Sequence, residues 1–432
     1  MRHNATCSFL PSLWITICAF FLQTCPKKVT KECETAIQEP ICIGIFQSFS
    51  GTEASFGRDA MRGIQMASDW INEVQGGIVI GRDRKTTLLR YPIKLIVRDN
   101  QSKAGETSTI VRELINRDHV VALIGEVSSG RTLEAAPIAQ RYRVPLIVNA
   151  ASNDKITHGR DFVFRIGYRD SQQGQVIAKY MRALGKRYAA LLVDVSKDSS
   201  TTIAESFQKQ FTILGGYIVA DLAYTGGDKD FQSQLTTIKN SRADCLFVPG
   251  YYTDCATSMK QAQLLELKLD VFGADGWDAI DLLRIAGQSA EGAVFVSAFS
   301  AEDPDPEVQS FVQKYRRKYG QEGPMGFTVT AFDSLMLLAD AIQRTKIGNV
   351  QNFSLKNIAS LKTFRQSVRD ALEETNNYEG ISGKITFDKN RDPRKPLVLL
   401  RIQNEKFRFL QKDFPQKDQA QEEQPVSKSP HR

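Results

Sequence analysis

Between residues 41 and 300 the chain repeats one pattern, a short β-branched apolar run followed by apolar residues at helical spacing. The runs lie at 41–46, 93–97, 120–125, 145–148 and 162–166, then at 188–195, 217–224, 245–248, 269–272 and 293–296. After the first run, Ala60, Met61, Ile64, Ala67, Trp70, Ile71 and Val74 recur at three- and four-residue steps, with Arg62, Asp69 and Glu73 off that face. Helical periods follow at 108–115, 133–141, 175–184, 203–214, 231–238, 256–265, 308–319 and 327–342. Runs that are apolar throughout need cover on both faces, and alternation with helices supplies it, so the pattern specifies parallel sheets in an α/β fold. Ten strands are too many for one tidy sheet in about 260 residues. Turn-prone pauses at 167–171, 297–306 and 376–382 predict two lobes between which the chain passes three times. One lobe takes residues 41–167 and 299–378, the other 168–298 and 379–410. Open α/β sheets bind ligands beyond the carboxyl ends of their strands, which for two facing sheets is an interdomain cleft.

The ends stand apart from this pattern. Residues 13–22 (LWITICAFFL) form an apolar core of signal-peptide length, well short of the roughly 20 residues that span a bilayer. Leu22-Gln23-Thr24-Cys25 resembles a bacterial lipobox, with Thr24 where a smaller residue is usual. Acylation at Cys25, simple cleavage and an uncleaved anchor all remain open. Residues 1–24 therefore read as a signal peptide and residues 25–40 as a tether, about 50 Å long when fully extended. Residues 411–432, with only Phe414, Ala420 and Val426 as apolar members, read as a disordered tail.

Composition narrows the chemistry. The 56 basic and 49 acidic residues are interspersed, without the basic stripe and interleaved aromatics of a nucleic-acid binder. The four histidines (His3, His119, His158, His431) are scattered, which excludes HExxH and most His-based zinc sites, and no Ser or Cys in the candidate loops has a plausible histidine base; no metal site is expected. GxGxxG, GxxxxGK[ST] and GxSxG are absent, so no cofactor and no catalytic residue is expected. Cys33–Cys42 and Cys245–Cys255 are one possible pairing in an oxidising compartment. Cys42 and Cys245, inside apolar runs, equally suit buried thiols.

Four loops after strands carry small or polar residues: 48–57 (SFSGTEASFG), 126–132 (EVSSGRT), 149–153 (NAASN) and the pair 250–252 with 273–277 (GADGW). Ser128, Ser129 and Gly130 opening a helix offer free N–H groups and hydroxyls to a carboxylate or phosphate, or simply cap that helix. Asp275 between glycines is either a turn residue or the partner of a bound ammonium.

These residues carry a family likeness. Ser50-Gly51 through Phe56-Gly57 with Asn72, residues 125–129, and residues 145–153 occur in the order of the bacterial periplasmic leucine/isoleucine/valine-binding proteins. So do Gly227-Asp228-Lys229-Asp230-Phe231, residues 244–252 (DCLFVPGYY) and Gly273-Ala274-Asp275-Gly276. Residues 39–410 resemble that family, the type I substrate-binding components of ABC importers. The resemblance implies the type I periplasmic-binding-protein fold, two doubly wound parallel-sheet lobes joined by three crossovers, closing on a free amino acid. It implies that Ser129, with Ser128 beside it, and the backbone around Ala150 and Ser152 receive the α-carboxylate. Asp275 receives the α-ammonium, Tyr251 closes over the ligand, and Phe56 contacts its side chain. Ser199 stands near the place of a family tyrosine, Asp275 stands for a glutamate, and Trp277 is positioned to refill the space. Both departures weaken a branched-chain preference and leave α-amino-acid recognition intact. ABC permease subunits are the implied partners, with export to the periplasm or cell envelope, a monomeric state and membrane contact only through an N-terminal lipid or anchor. A ligand-sensing receptor with the same clamshell and a binder of amide- or urea-type solutes are the alternatives. The histidine census disfavours a third, an extracytoplasmic hydrolase.

Overall fold

The computed structural model describes residues 35–82, 88–345 and 354–415. The signal peptide, Cys25, Cys33 and the tail from residue 416 onward lie outside the described residues.

Two sheets organise the chain. The first has five parallel strands in the order Ile93–Asp99, Ile41–Gln47, Ala122–Ile124, Leu146–Val148 and Val163–Arg165. Its interior strand Ile41–Gln47 is solvent-free at Ile41, Ile43 and Ile45, as a run covered on both faces must be. The second has seven strands: Tyr217–Tyr224, Tyr188–Asp194, Cys245–Val248, Asp270–Gly273, Val294–Ser297, Leu397–Gln403 and Lys406–Asp413. The first five run parallel, and Leu397–Gln403 pairs antiparallel with both of its neighbours, Val294–Ser297 and Lys406–Asp413, so the second sheet is mixed rather than purely parallel. All ten expected strands are present.

The chain crosses between the sheets three times. It leaves the first sheet after Val163–Arg165 and returns to that lobe after Val294–Ser297 through the helices Pro306–Tyr319 and Gly326–Arg344. It re-enters the second sheet at Leu397. The long helix Gly326–Arg344 packs against Ala54–Asp69, and Gly63 permits the crossing, because a Cβ there would lie 1.9 Å from the Thr328 carbonyl. Buried ionic groups fix the crossovers. Arg165 donates to Asp392 at 2.8 Å, joining the first crossing to the third. Asp333 accepts the Ile381 and Ser382 N–H groups at 2.9 and 2.8 Å, and Lys395 donates to the Ile166 carbonyl at 3.2 Å.

Several expectations at the margins change. The tether ends earlier than residue 40. Thr35–Ile37 is a strand pairing in parallel with Leu88–Arg90, on the open edge of a hairpin whose other strand is Ile78–Arg82. An unpaired edge recruits any β-competent segment nearby, and Thr-Ala-Ile is one. The tail begins later than residue 411, because Lys406–Asp413 pairs with Leu397–Gln403 and Phe407 packs edge-on to Phe295 at 5.0 Å. Cys245 and Cys255 are free buried thiols with no disulfide between them, and Cys42 is free and half-buried.

Candidate functional site

Three loops leave the carboxyl ends of the first sheet toward the second lobe. Ser129 opens the helix Ser129–Tyr142, and its Oγ accepts the Asn153 N–H at 3.2 Å. That bond ties the second loop to the third while the hydroxyl hydrogen stays available. Ser128, Ala150 and Ser152 are buried beside it. Arg165 holds the third loop from below by donating to the carbonyls of Ala151 (3.0 Å) and Asn153 (2.8 Å). The loop backbone is thus set by a fully buried guanidinium, not by the loop's own sequence.

The second lobe supplies the facing wall. Asp275 follows the strand Asp270–Gly273, and its N–H donates to Gln173 Oε1 at 3.0 Å. At Gly276 a Cβ would sit 2.5 Å from the Gly250 carbonyl, so glycine is what lets the Tyr251 and Asp275 loops meet. The Tyr251 ring stands edge-on to Phe56 at 5.5 Å, and Ser199 Oγ lies 3.4 Å from its hydroxyl. Burial, reinforced by the charge of Glu53, pushes the Tyr251 hydroxyl up, with the Ser199 and Ser128 hydroxyls opposing, so it stays a neutral donor. The lobes touch. The Tyr252 hydroxyl donates to the Thr52 carbonyl at 3.0 Å and Asn153 Nδ2 to Thr202 Oγ1 at 3.2 Å. Phe56 also meets Tyr252 at 5.0 Å and Phe327 at 4.9 Å.

The electrostatics are lopsided. Burial pushes the Asp275 carboxyl from 3.8 up to about 7, with the Gln173 side chain opposing and the Asp278 charge adding to it. Asp170, at the start of helix Asp170–Ala183, is fully buried, and neither of its carboxylate oxygens has a hydrogen-bond partner within ordinary distance. Burial pushes it far above the usual carboxylate range; the Ser152 hydroxyl opposes this and the Asp275 charge reinforces it. Among the described residues neither carboxylate forms a salt bridge, although the charge of Arg165 also opposes the rise at Asp170. Asp278, by contrast, accepts Ser297 Oγ at 2.7 Å and the Gly326 N–H at 2.8 Å. A buried carboxylate without a cation is costly, and two side by side are costlier. The corner around Asp170 and Asp275 is therefore poor in positive charge, while the other lobe presents hydroxyls and helix-end N–H groups. Such a cleft suits a group that is positive at one end and negative a few ångströms away. Among the described residues no cluster of His, Cys, Asp and Glu is arranged to hold a metal ion.

The fold brings together Phe56, Ser128, Ser129, Ala150, Ser152, Ser199, Tyr251 and Asp275, eight of the nine residues expected in the cleft. Trp277 is the exception. Its indole N–H donates to the Val248 carbonyl at 3.1 Å and its ring lies wholly buried over Gly273 and near Phe295. It packs the core of the second lobe because glycine beneath it leaves room for an indole. Asp170, Gln173, Phe327 and the charged group Glu53, Glu126, Arg131 and Lys197 also belong to this region. Asp170, inside the turn-prone pause 167–171 and at the start of a helix, carried no sequence signal that set it apart from an ordinary helix-opening acid.

The fold has relatives among known proteins. Residues 40–406 match the family model described as periplasmic binding protein. The Leu/Ile/Val-binding protein of Escherichia coli is 25% identical over 312 residues, covering 72% of this chain and 81% of that protein. The crystal structure of a leucine-binding protein from Thermotoga maritima superposes with a TM-score of 0.77 at 29% identity, covering 87% of this chain and 99% of that one. A branched-chain amino acid transporter substrate-binding protein from Streptococcus pneumoniae, in complex with isoleucine, gives 0.75 at 30% identity, covering 87% and 100%.

Proposed function

Because this chain belongs to the periplasmic binding protein family, whose members bind solutes rather than transform them, we propose that it is the substrate-binding component of an ABC importer and captures one free α-amino acid between its lobes. The observation that carries this reading is the pair of buried carboxylates, Asp170 and Asp275, without a salt bridge and facing the hydroxyl loops of the other lobe. The α-ammonium sits between those two carboxylates. The Ser129 hydroxyl and the N–H groups around Ala150 and Ser152 take the α-carboxylate. Tyr251 closes over the zwitterion, and Phe56 with Phe327 contacts its side chain. Ser199, in place of a larger aromatic, widens that end of the cleft, so the preferred side chain is not restricted to the branched aliphatic ones.

The same reading places the mature protein in the periplasm or cell envelope. Residues 1–24 direct export, Cys25 carries a lipid, and the chain up to residue 34 tethers a monomeric clamshell that docks on permease subunits. Its lobes are 41–167 with 299–378, and 168–298 with 379–413. Mass spectrometry of the mature N-terminus tests the lipid. A thermal-shift screen of all twenty L-amino acids, with amides and urea as controls, tests the ligand class. At a hundredfold excess over the dissociation constant the stabilisation is about 2.7 kcal/mol. Absence of a shift with every α-amino acid overturns the assignment.

A further inference from the structure

We infer that Lys197 and Glu53 form a latch completed only when the lobes meet, and that this latch bars ligands with a cationic side chain from the cleft. The second half rests on the amino-acid reading above; the first rests on geometry alone. Glu53 precedes the helix Ala54–Asp69, and Arg131 lies in the first turn of Ser129–Tyr142. Arg131 bonds to Glu53 and to both oxygens of Glu126, one of them at 2.9 Å from Nη2. All three side chains are nearly solvent-free, at 3%, 6% and 0% exposed for Glu53, Arg131 and Glu126. Two carboxylates against one guanidinium leave the first lobe with one negative charge that nothing in this triad balances. A buried net charge of that kind is unfavourable unless a partner reaches it.

The partner comes from the other lobe. Lys197 Nζ donates to Glu53 Oε1 at 2.7 Å and lies 5.2 Å from the centre of the Tyr251 ring. Its position just before the helix Asp198–Ile213 is one where the positive helix end disfavours a cation, and within the second lobe only the Tyr251 ring and the charge of Asp254 offset this, without a salt bridge. Burial by itself would raise the Glu53 carboxyl, yet the cations of Arg131 and Lys197 together hold it below its ordinary value. Two positive and two negative groups cancel in the closed form, and separating the lobes breaks that balance. The ion pair therefore biases the open–closed equilibrium toward the ligand-holding state. It also occupies the Glu53 carboxylate beside Tyr251, so a ligand's side-chain ammonium would meet the Lys197 cation there rather than an acid.

The test is calorimetry on wild type, Lys197→Met, Glu53→Gln and the double variant. Each is titrated with the L-amino acid that binds wild type best and with L-lysine and L-ornithine, alongside small-angle X-ray scattering of each ligand-free protein. Glu53→Gln leaves Arg131 with Glu126, one charge against one, so the variant keeps its balanced core. Each single substitution should weaken the preferred ligand about tenfold, and the double variant should be no worse than either single, a coupling of about tenfold. Lys197→Met should gain at least tenfold for L-lysine or L-ornithine, and the double variant should lose that gain. The ligand-free single variants should scatter with a larger radius of gyration than wild type. Additive losses, or no gain for the cationic ligands, overturn the latch while leaving the amino-acid reading intact. If wild type binds no α-amino acid, that reading fails, and an equal radius for wild type and Lys197→Met then overturns the latch independently.

Discussion

Replacing Asp275 with asparagine should move binding and stability in opposite directions. The side chain keeps its size and loses its charge, and the backbone N–H bond to Gln173 is retained. In the ligand-free protein burial raises this carboxyl from 3.8 to about 7. Between those values the native state holds a proton that the unfolded chain has released, so stability falls as pH rises. The loss is absent below about 3.8 and complete above about 7. At 1.36 kcal/mol per pH unit over roughly three units it is on the order of 4 kcal/mol. Asp275→Asn should therefore be more stable than wild type at pH 8 by up to about 4 kcal/mol, with the difference vanishing near pH 4. Its amino-acid affinity should fall by roughly 2–5 kcal/mol, because the bound ammonium loses one of two carboxylates in a desolvated site. Urea unfolding without ligand across pH 4 to 8 and calorimetric titration at pH 8 measure the two effects. A variant less stable than wild type at pH 8, or one that binds within twofold of it, would refute the argument.

Asp170→Asn should weaken binding at least tenfold without loss of ligand-free stability, since relief of an unpartnered buried carboxylate outweighs the roughly 0.3–1 kcal/mol of an acid at a helix start. Titration and urea unfolding give both numbers. Gly276→Ala should cost about 1–3 kcal/mol of stability and shift Tyr251, with more than a tenfold loss of affinity, because the new Cβ meets the Gly250 carbonyl at 2.5 Å. A variant neutral in both measurements would contradict the close approach of the two loops. Alkylation of the denatured protein without reductant should modify both Cys245 and Cys255, read as mass added to their peptides. Recovery of a peptide disulfide between them contradicts the buried thiols.

The strand–helix alternation was legible because each buried strand carries its own apolar run, and the pauses at 167–171, 297–306 and 376–382 marked the crossings. The C-terminal hairpin 397–413 escaped because antiparallel strands at a sheet edge break the alternating rule. Residues 406–413 are largely polar and resemble a tail until the partner strand is seen. Among cleft residues, the small hydroxylated loops and Asp275 stood out by their position after strands. Asp170 did not, since an acid opening a helix is ordinarily explained by the helix dipole, and only the structure shows both oxygens left without a hydrogen-bond partner. The Glu53, Arg131 and Lys197 contacts join residues 78 and 144 positions apart, and local spacing carries no trace of them. Trp277 illustrates the reverse error, where proximity in sequence to a site residue does not place a side chain in the site.

The central claim is that the cleft recognises an ammonium and a carboxylate together. It is tested most directly by titrating wild type with the best-binding L-amino acid and with two analogues of it, one lacking the α-amino group and one with the carboxylate converted to an amide. Asp170, Asp275 and the Ser129 and Ser152 loops predict that each analogue binds at least a hundredfold more weakly than the parent. A deaminated acid that binds as tightly as the amino acid contradicts the account.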